Sequence, residues 1–268
     1  TLHGSSAASD VYKRQVVLGW DDALAFTQAA DETGIPIILQ AGPSCRAHTP
    51  IPILGKMFRY LASQTKTNIC CHVDHGYTLD ECYEGIDSGF TSVMFDGSKL
   101  TLKENIKISK KIASRAHKYN ISIEGEIGFV GYDNGKISEG TNIEDAVTFA
   151  NKSNIDAMAI SVGNTHLQTS KKASIDFNKI NLIEAKTKIP LVLHGSSGIP
   201  VEQRKKLARK TKVAKLNIGT EIRMTFGEAL RKNLKNNPKT YDRLQLLKPT
   251  IKDLTKVTKK IIKQIGPN

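Results

Sequence analysis

The sequence predicts an α/β protein: a TIM (β/α)8 barrel with an extra C-terminal helix. Three observations carry this. Short apolar runs alternate with longer amphipathic segments from Val16 onward, eight such runs occur with no sign of a chain reversal, and 268 residues suffice for one barrel of about 250.

The strands come first. Ile35 to Gln40, Asn68 to Asp74, Thr91 to Asp96, Ile121 to Gly125, Ile155 to Gly163, Ile189 to His194 and Val213 to Ile218 are rich in Ile and Val and apolar on both faces. A parallel sheet covered by helices requires such runs. A damaged first strand near Val16 to Leu18 completes the eight. The helices between them carry start signals. Thr78 precedes LDECYEGIDSG and Gly89 stops it, Thr141-x-x-Glu144 reads as a capping box, and Pro200 stands at a first helical turn. From Pro238 the chain reads as a helix packed outside the barrel. No internal repeat or linker divides residues 16–268, which form one expected domain.

Residues 1–15 read differently. The stretch Ser5 to Gln15 (SSAASDVYKRQ) resembles the translation of a sequencing-adaptor remnant, and is expected to be a non-native leader outside the fold.

Composition narrows the function classes. No run of 18 apolar residues occurs, so no membrane-spanning helix is expected. The net charge of +13 comes largely from lysines spread along helical stretches, Lys103 to Lys118, Lys205 to Lys215 and Lys252 to Lys263. Aromatics do not interleave them as a nucleic-acid groove requires, so solvated helix faces are expected rather than a nucleic-acid partner. The positive field would still concentrate phosphorylated substrates. Four cysteines without a C-x-x-C are expected to be reduced, buried thiols in a cytoplasmic protein.

A barrel enzyme works at the C-terminal ends of its strands. There the sequence places Asp74-His75, Asp96, Glu124 and Glu126, His166, His194 and Asn217, while the strand interiors are apolar. Three imidazoles with carboxylates at one rim suit a divalent metal, and three protein ligands leave a position for substrate. His72 shares a face with Asp74 and is a candidate outer-shell residue; His48 and His117 have no such case. Gly195-Ser196-Ser197-Gly198 and Asn217-Ile218-Gly219-Thr220 follow the seventh and eighth strands, where barrels bind phosphate with backbone N–H groups and a helix N-terminus.

These motifs resemble those of the class II fructose-1,6-bisphosphate and tagatose-1,6-bisphosphate aldolases. The carriers are His72-Val-Asp-His75-Gly, Ser92-Val-Met-Phe-Asp96-Gly-Ser98, Glu124-Gly-Glu126-Ile-Gly128, Leu191-Val-Leu-His194-Gly-Ser-Ser-Gly198 and Lys215-Leu-Asn217-Ile-Gly-Thr220. Their order is kept from about Asp21 to the C-terminus.

The resemblance implies a zinc-dependent carbon–carbon lyase that cleaves a ketose (bis)phosphate to dihydroxyacetone phosphate and an aldehyde, as a homodimer or homotetramer. It implies that His75, His166 and His194 bind catalytic Zn2+, and that Asp96 and Glu126 hold a second metal in some members. Asp74 would exchange a proton with the C4 hydroxyl. Gly195, Ser196, Ser197, Asn217, Ile218, Gly219 and Thr220 would bind the phosphate. Zinc on the ketone and hydroxyl oxygens would stabilise the enediolate left by C3–C4 cleavage.

Two positions depart from the family pattern. Leu167 stands where the family has glycine, whose backbone meets the phosphate or a monovalent cation. The loop after the fifth strand reads Gly128-Phe-Val-Gly131-Tyr-Asp133-Asn-Gly135 in place of a Gly-Gly-x-Glu-Asp segment. Asp133 is therefore the candidate for the loop base that takes the α-proton, with Glu139 further along. Two other readings stay open: another metal-dependent reaction on the same rim, or a non-enzymatic sugar-phosphate or metal-binding protein.

Overall fold

A computed structural model describes residues 12–132, 138 and 140–265. Eight parallel strands close a barrel. In chain order they are β1 (Tyr12–Val17), β2 (Ile37–Ala41), β3 (Ile69–Gly76), β4 (Ser92–Phe95), β5 (Ser122–Ile127), β7 (Ala157–Ile160), β9 (Leu191–Leu193) and β10 (Val213–Ile218). Strand β10 pairs with β1 and seals the ring. A two-stranded parallel sheet, β6 (Gly131–Tyr132) with β8 (Thr165–His166), stands apart from the barrel.

The helices are α1 (Trp20–Thr33), α2 (Pro43–His48), α3 (Ile51–Ser63), α4 (Leu79–Asp87), α5 (Leu102–Lys118), α6 (Ile143–Lys152), α7 (Phe177–Lys186), α8 (Val201–Lys210), α9 (Thr220–Asn236), α10 (Arg243–Leu247) and α11 (Thr250–Ile265). The C-terminal addition is thus a short helix and a long one. Helix α11 lies along α1, where Leu254, Ile261, Ile262 and Ile265 are buried. The main apolar core fills the shell between strands and helices. Inside the barrel, among the described residues, Met94, Ala159 and Val192, with Ala157 against them, form a small apolar cluster.

Three local expectations change. Strand β1 begins at Tyr12 rather than Val16, so four residues of the adaptor-like stretch lie in the barrel wall, paired with β2 and β10. The Thr141 capping box does not form. Asn142 caps α6 through Asp145 N, because Thr141 Oγ1 is already committed to Ile127 O and Ser161 N. Pro200 is the N-cap of α8, one residue before its first turn. Thr78, by contrast, completes a full capping box with Glu81. All four cysteines are free; Cys45, Cys71 and Cys82 are buried and Cys70 is partly so.

Candidate active site

The rim at the strand C-termini gathers the polar residues of the barrel. His75 lies near the end of β3, His194 directly follows β9, and His166 comes from β8 outside the barrel wall. Their ring centroids are 4.5 Å (His75–His194), 5.5 Å (His75–His166) and 5.8 Å (His166–His194) apart. One ligand nitrogen from each lies within 4.8 Å of the others.

The outer nitrogens are tied down. His75 Nδ1–H donates to Asp96 Oδ2 at 2.8 Å, and His194 Nε2–H donates to Glu124 Oε1 at 3.1 Å. That leaves His75 Nε2 and His194 Nδ1 facing each other at 2.8 Å. Carboxylates behind imidazoles fix ring orientation and tautomer in metal centres. Asp96 is itself anchored by the N–H and hydroxyl of Ser98. Glu124 Oε2 accepts from Lys215 Nζ, a lysine only 3% exposed inside the barrel.

Electrostatics separate the three rings. Burial pushes His166 down to about 3, helped by charge on His194 and His75. Burial likewise takes His194 down to about 4, with His75 reinforcing it. Burial also opposes charge on His75, but Asp74, Asp96 and Glu126 outweigh it and raise the group to about 9. His75 is thus the ring that holds its proton most strongly, and a cation bound at its Nε2 would displace that proton.

Asp96 is held below the usual carboxylate range, since the bond from His75 overcomes its burial. Glu126 is raised well above that range by burial and by the Asp96 charge. Its Oε2 is buried without a hydrogen bond, 3.7 Å from His75 Nδ1 and 3.8 Å from His194 Nδ1. His75, Asp96 and Glu126 make a second group of ligand type. Neutral nitrogens, an orphaned carboxylate oxygen and a displaceable proton fit a divalent cation.

Asp74 is 5% exposed and its Oδ1 accepts from Asn217 Nδ2 at 3.4 Å, across the barrel from β10. The two candidate phosphate loops meet. Gly195 is left-handed (φ 61°), where a Cβ would lie 2.2 Å from Thr165 O. Ser197 Oγ accepts from Gly219 N (3.2 Å) and Glu221 N (3.4 Å) at the start of α9. Ser196 instead turns inward to Leu193 O, and the Ile218 side chain is fully buried. Thr220 opens α9 and is partly exposed. Asp133 and Glu139 lie outside the described residues. His72 is buried, with Nδ1 on Ser92 Oγ at 2.7 Å; His117 pairs with Asp156.

Leu167, beside His166, is left-handed (φ 58°) with half its side chain exposed. A leucine in that region costs about 1–2 kcal/mol, a reason for glycine to occupy it.

Some participants were not singled out from sequence. Sequence gives Glu124 a strand end but no role and Lys215 only a place in a motif, because their pairing links strands far apart in sequence. Arg46 carries no sequence signal, since three of its partners are backbone carbonyls, at Ala41, Asp74 and His75, and the fourth, Glu81, lies 35 residues away.

Fold and rim together present a parallel barrel with three histidines that could hold a metal beside a carboxyl group. The family model described as fructose-bisphosphate aldolase class-II matches residues 11–268, and the chain belongs to that family. A 6-phospho-5-dehydro-2-deoxy-D-gluconate aldolase of Shouchella clausii is 36% identical over 201 residues, covering 74% of this chain and 68% of that protein. A fructose-bisphosphate aldolase of Staphylococcus aureus is 31% identical over 249 residues, covering 90% and 87%. Among solved structures, the YdjI aldolase of Escherichia coli K12 superposes with a TM-score of 0.83 at 24% identity, covering 96% and 92%. The fructose-bisphosphate aldolase of Campylobacter jejuni gives 0.80 at 20%, covering 97% and 91%. At these identities the solved structures speak for the fold.

Proposed function

We propose that the chain is a zinc-dependent aldolase that reversibly cleaves a ketose (bis)phosphate to dihydroxyacetone phosphate and an aldehyde. The observation that carries this is the pair of inward nitrogens on His75 and His194, backed by Asp96 and Glu124, with His166 alongside.

His75, His166 and His194 would hold the zinc, and Asp96 with Glu126 a second divalent or monovalent cation. Bound there, zinc supplies Lewis-acid stabilisation of the negative charge that develops when the bond beside the ketone breaks. The remaining work falls to the chain's own groups. The Asp74 carboxylate takes the C4 hydroxyl proton as the C3–C4 bond breaks and the aldehyde carbonyl forms. The bonding pair stays on the dihydroxyacetone phosphate fragment, which then gains a proton at C3. Asp133 is the candidate for that second transfer. Asn217 holds the Asp74 carboxyl in place. The phosphate would meet backbone N–H groups of the loops at Gly195 to Ser197 and Asn217 to Thr220, next to the α9 N-terminus. The barrel from β1 to α11 forms the catalytic unit in this reading, within a homodimer or homotetramer. A cytoplasmic setting accords with four free thiols.

A coupled assay for triose release tests this, with fructose 1,6-bisphosphate, tagatose 1,6-bisphosphate and 6-phospho-5-dehydro-2-deoxy-D-gluconate. Cleavage of at least one substrate, abolished by chelator and restored by zinc, is expected. Chelator-insensitive cleavage would sink the zinc mechanism, and metal binding without turnover would favour a binding protein.

A further inference from the structure

Asp74 and His75 are consecutive, yet both side chains enter the same site. In a regular strand, neighbours point to opposite faces. Here the pairing of β3 with β4 shifts register between Val73 and Gly76, and His75 is left-handed (φ 51°). A bulge of this kind re-aims side chains next to an active site, and it takes backbone groups out of the ladder.

Arg46 bonds the carbonyls at this bulge. Its side chain, 5% exposed, reaches from α2 across the end of β2. One guanidinium nitrogen donates to Ala41 O at 2.8 Å and to Asp74 O. The other donates to His75 O at 2.9 Å and to Glu81 Oε1 at 3.3 Å. Glu81 Oε2 in turn accepts from Tyr77 N and Thr78 N, just beyond the bulge. A single planar cation thus bonds both bulged carbonyls, the neighbouring strand and the start of α4. Lysine, a point donor, cannot reproduce that fork.

We infer that Arg46 is a positioning residue. It holds the bulge that lets consecutive side chains serve as acid/base and as metal ligand. The roles of Asp74 and His75 rest on the proposed aldolase reading; the clamp on their backbone does not.

The test compares wild type with Arg46→Ala and Arg46→Lys, stripped of metal and titrated with cobalt(II). Affinity is expected to fall roughly 10- to 100-fold, as for other groups that support metal ligands. The visible cobalt bands should change shape, kcat at saturating metal should drop, and added guanidinium should partly restore both in Arg46→Ala. If Arg46→Ala does not fold, Arg46→Lys and Glu81→Gln carry the same comparison. Wild-type cobalt affinity, spectrum and kcat in variants that merely melt earlier would overturn the inference. Should wild type bind cobalt and cleave no ketose phosphate, the aldolase reading falls, and the affinity and spectral arms still decide Arg46.

Discussion

His75 Nε2 and His194 Nδ1 face each other at 2.8 Å at the C-terminal rim of the barrel. Each ring is locked from behind by a carboxylate, so neither can turn away to escape the contact. The two nitrogens are therefore held toward one point, as ligands to a cation would be.

Metal uptake should release a proton from His75. His75 is raised to about 9, so at pH 7 it is protonated and must lose its proton to ligate. His166 and His194, lowered to about 3 and about 4, are neutral there and release none. Affinity should therefore rise with pH up to about 9 and then level off. Calorimetry of zinc binding in buffers of different ionisation enthalpy should report about one proton or more released at pH 7. Heats that do not depend on the buffer would refute this.

Asp74→Ala should keep the metal and lose turnover. The carboxyl is not among the three-histidine ligands, so zinc content should stay near that of wild type. Removing a positioned acid/base typically costs about 100- to 10,000-fold in rate. Near-normal kcat in a metal-replete variant would remove Asp74 from the mechanism.

The chain from Lys215 through Glu124 to His194 gives two separable effects. Glu124→Gln should weaken zinc binding roughly 10- to 100-fold by loosening the ring behind its metal-facing nitrogen. Lys215→Met leaves a buried carboxylate without its cation and should cost about 3–5 kcal/mol of stability, read from denaturant midpoints. Equal stability of Lys215→Met and wild type would show that Glu124 does not need that charge.

Leu167→Gly should relieve backbone strain at little packing cost, since the side chain is half exposed. About 1–2 kcal/mol of left-handed penalty is offset by about 0.5–1 kcal/mol of glycine entropy. A small rise in melting temperature is expected, together with a changed ratio of kcat/KM between ketose phosphates. Unchanged preference would mean that the leucine lies outside the substrate's reach.

The sequence showed most of the barrel, because buried parallel strands leave continuous Ile- and Val-rich runs. It also showed most of the rim, because ligand-type residues end those runs. What escaped depends on non-local contact. Strands β6 and β8 have two residues each and no periodicity to detect. Thr141 looks like a cap until Ile127 and Ser161 claim its hydroxyl. The Arg46 clamp joins α2 to a bulge about thirty residues on, and its partners are carbonyls that every residue possesses. The composition of Ser5 to Gln15 hides the start of β1, whereas backbone pairing places Tyr12 in the wall.

The central claim is that one metal held by His75, His166 and His194 carries aldol cleavage. Zinc titrated back into stripped protein, with bound metal and triose release followed together, tests it most directly. Activity should rise in proportion to bound zinc and saturate with the three-histidine site, and His166→Ala should lose both responses. Full cleavage by the stripped protein, or an unchanged titration in His166→Ala, would contradict the account.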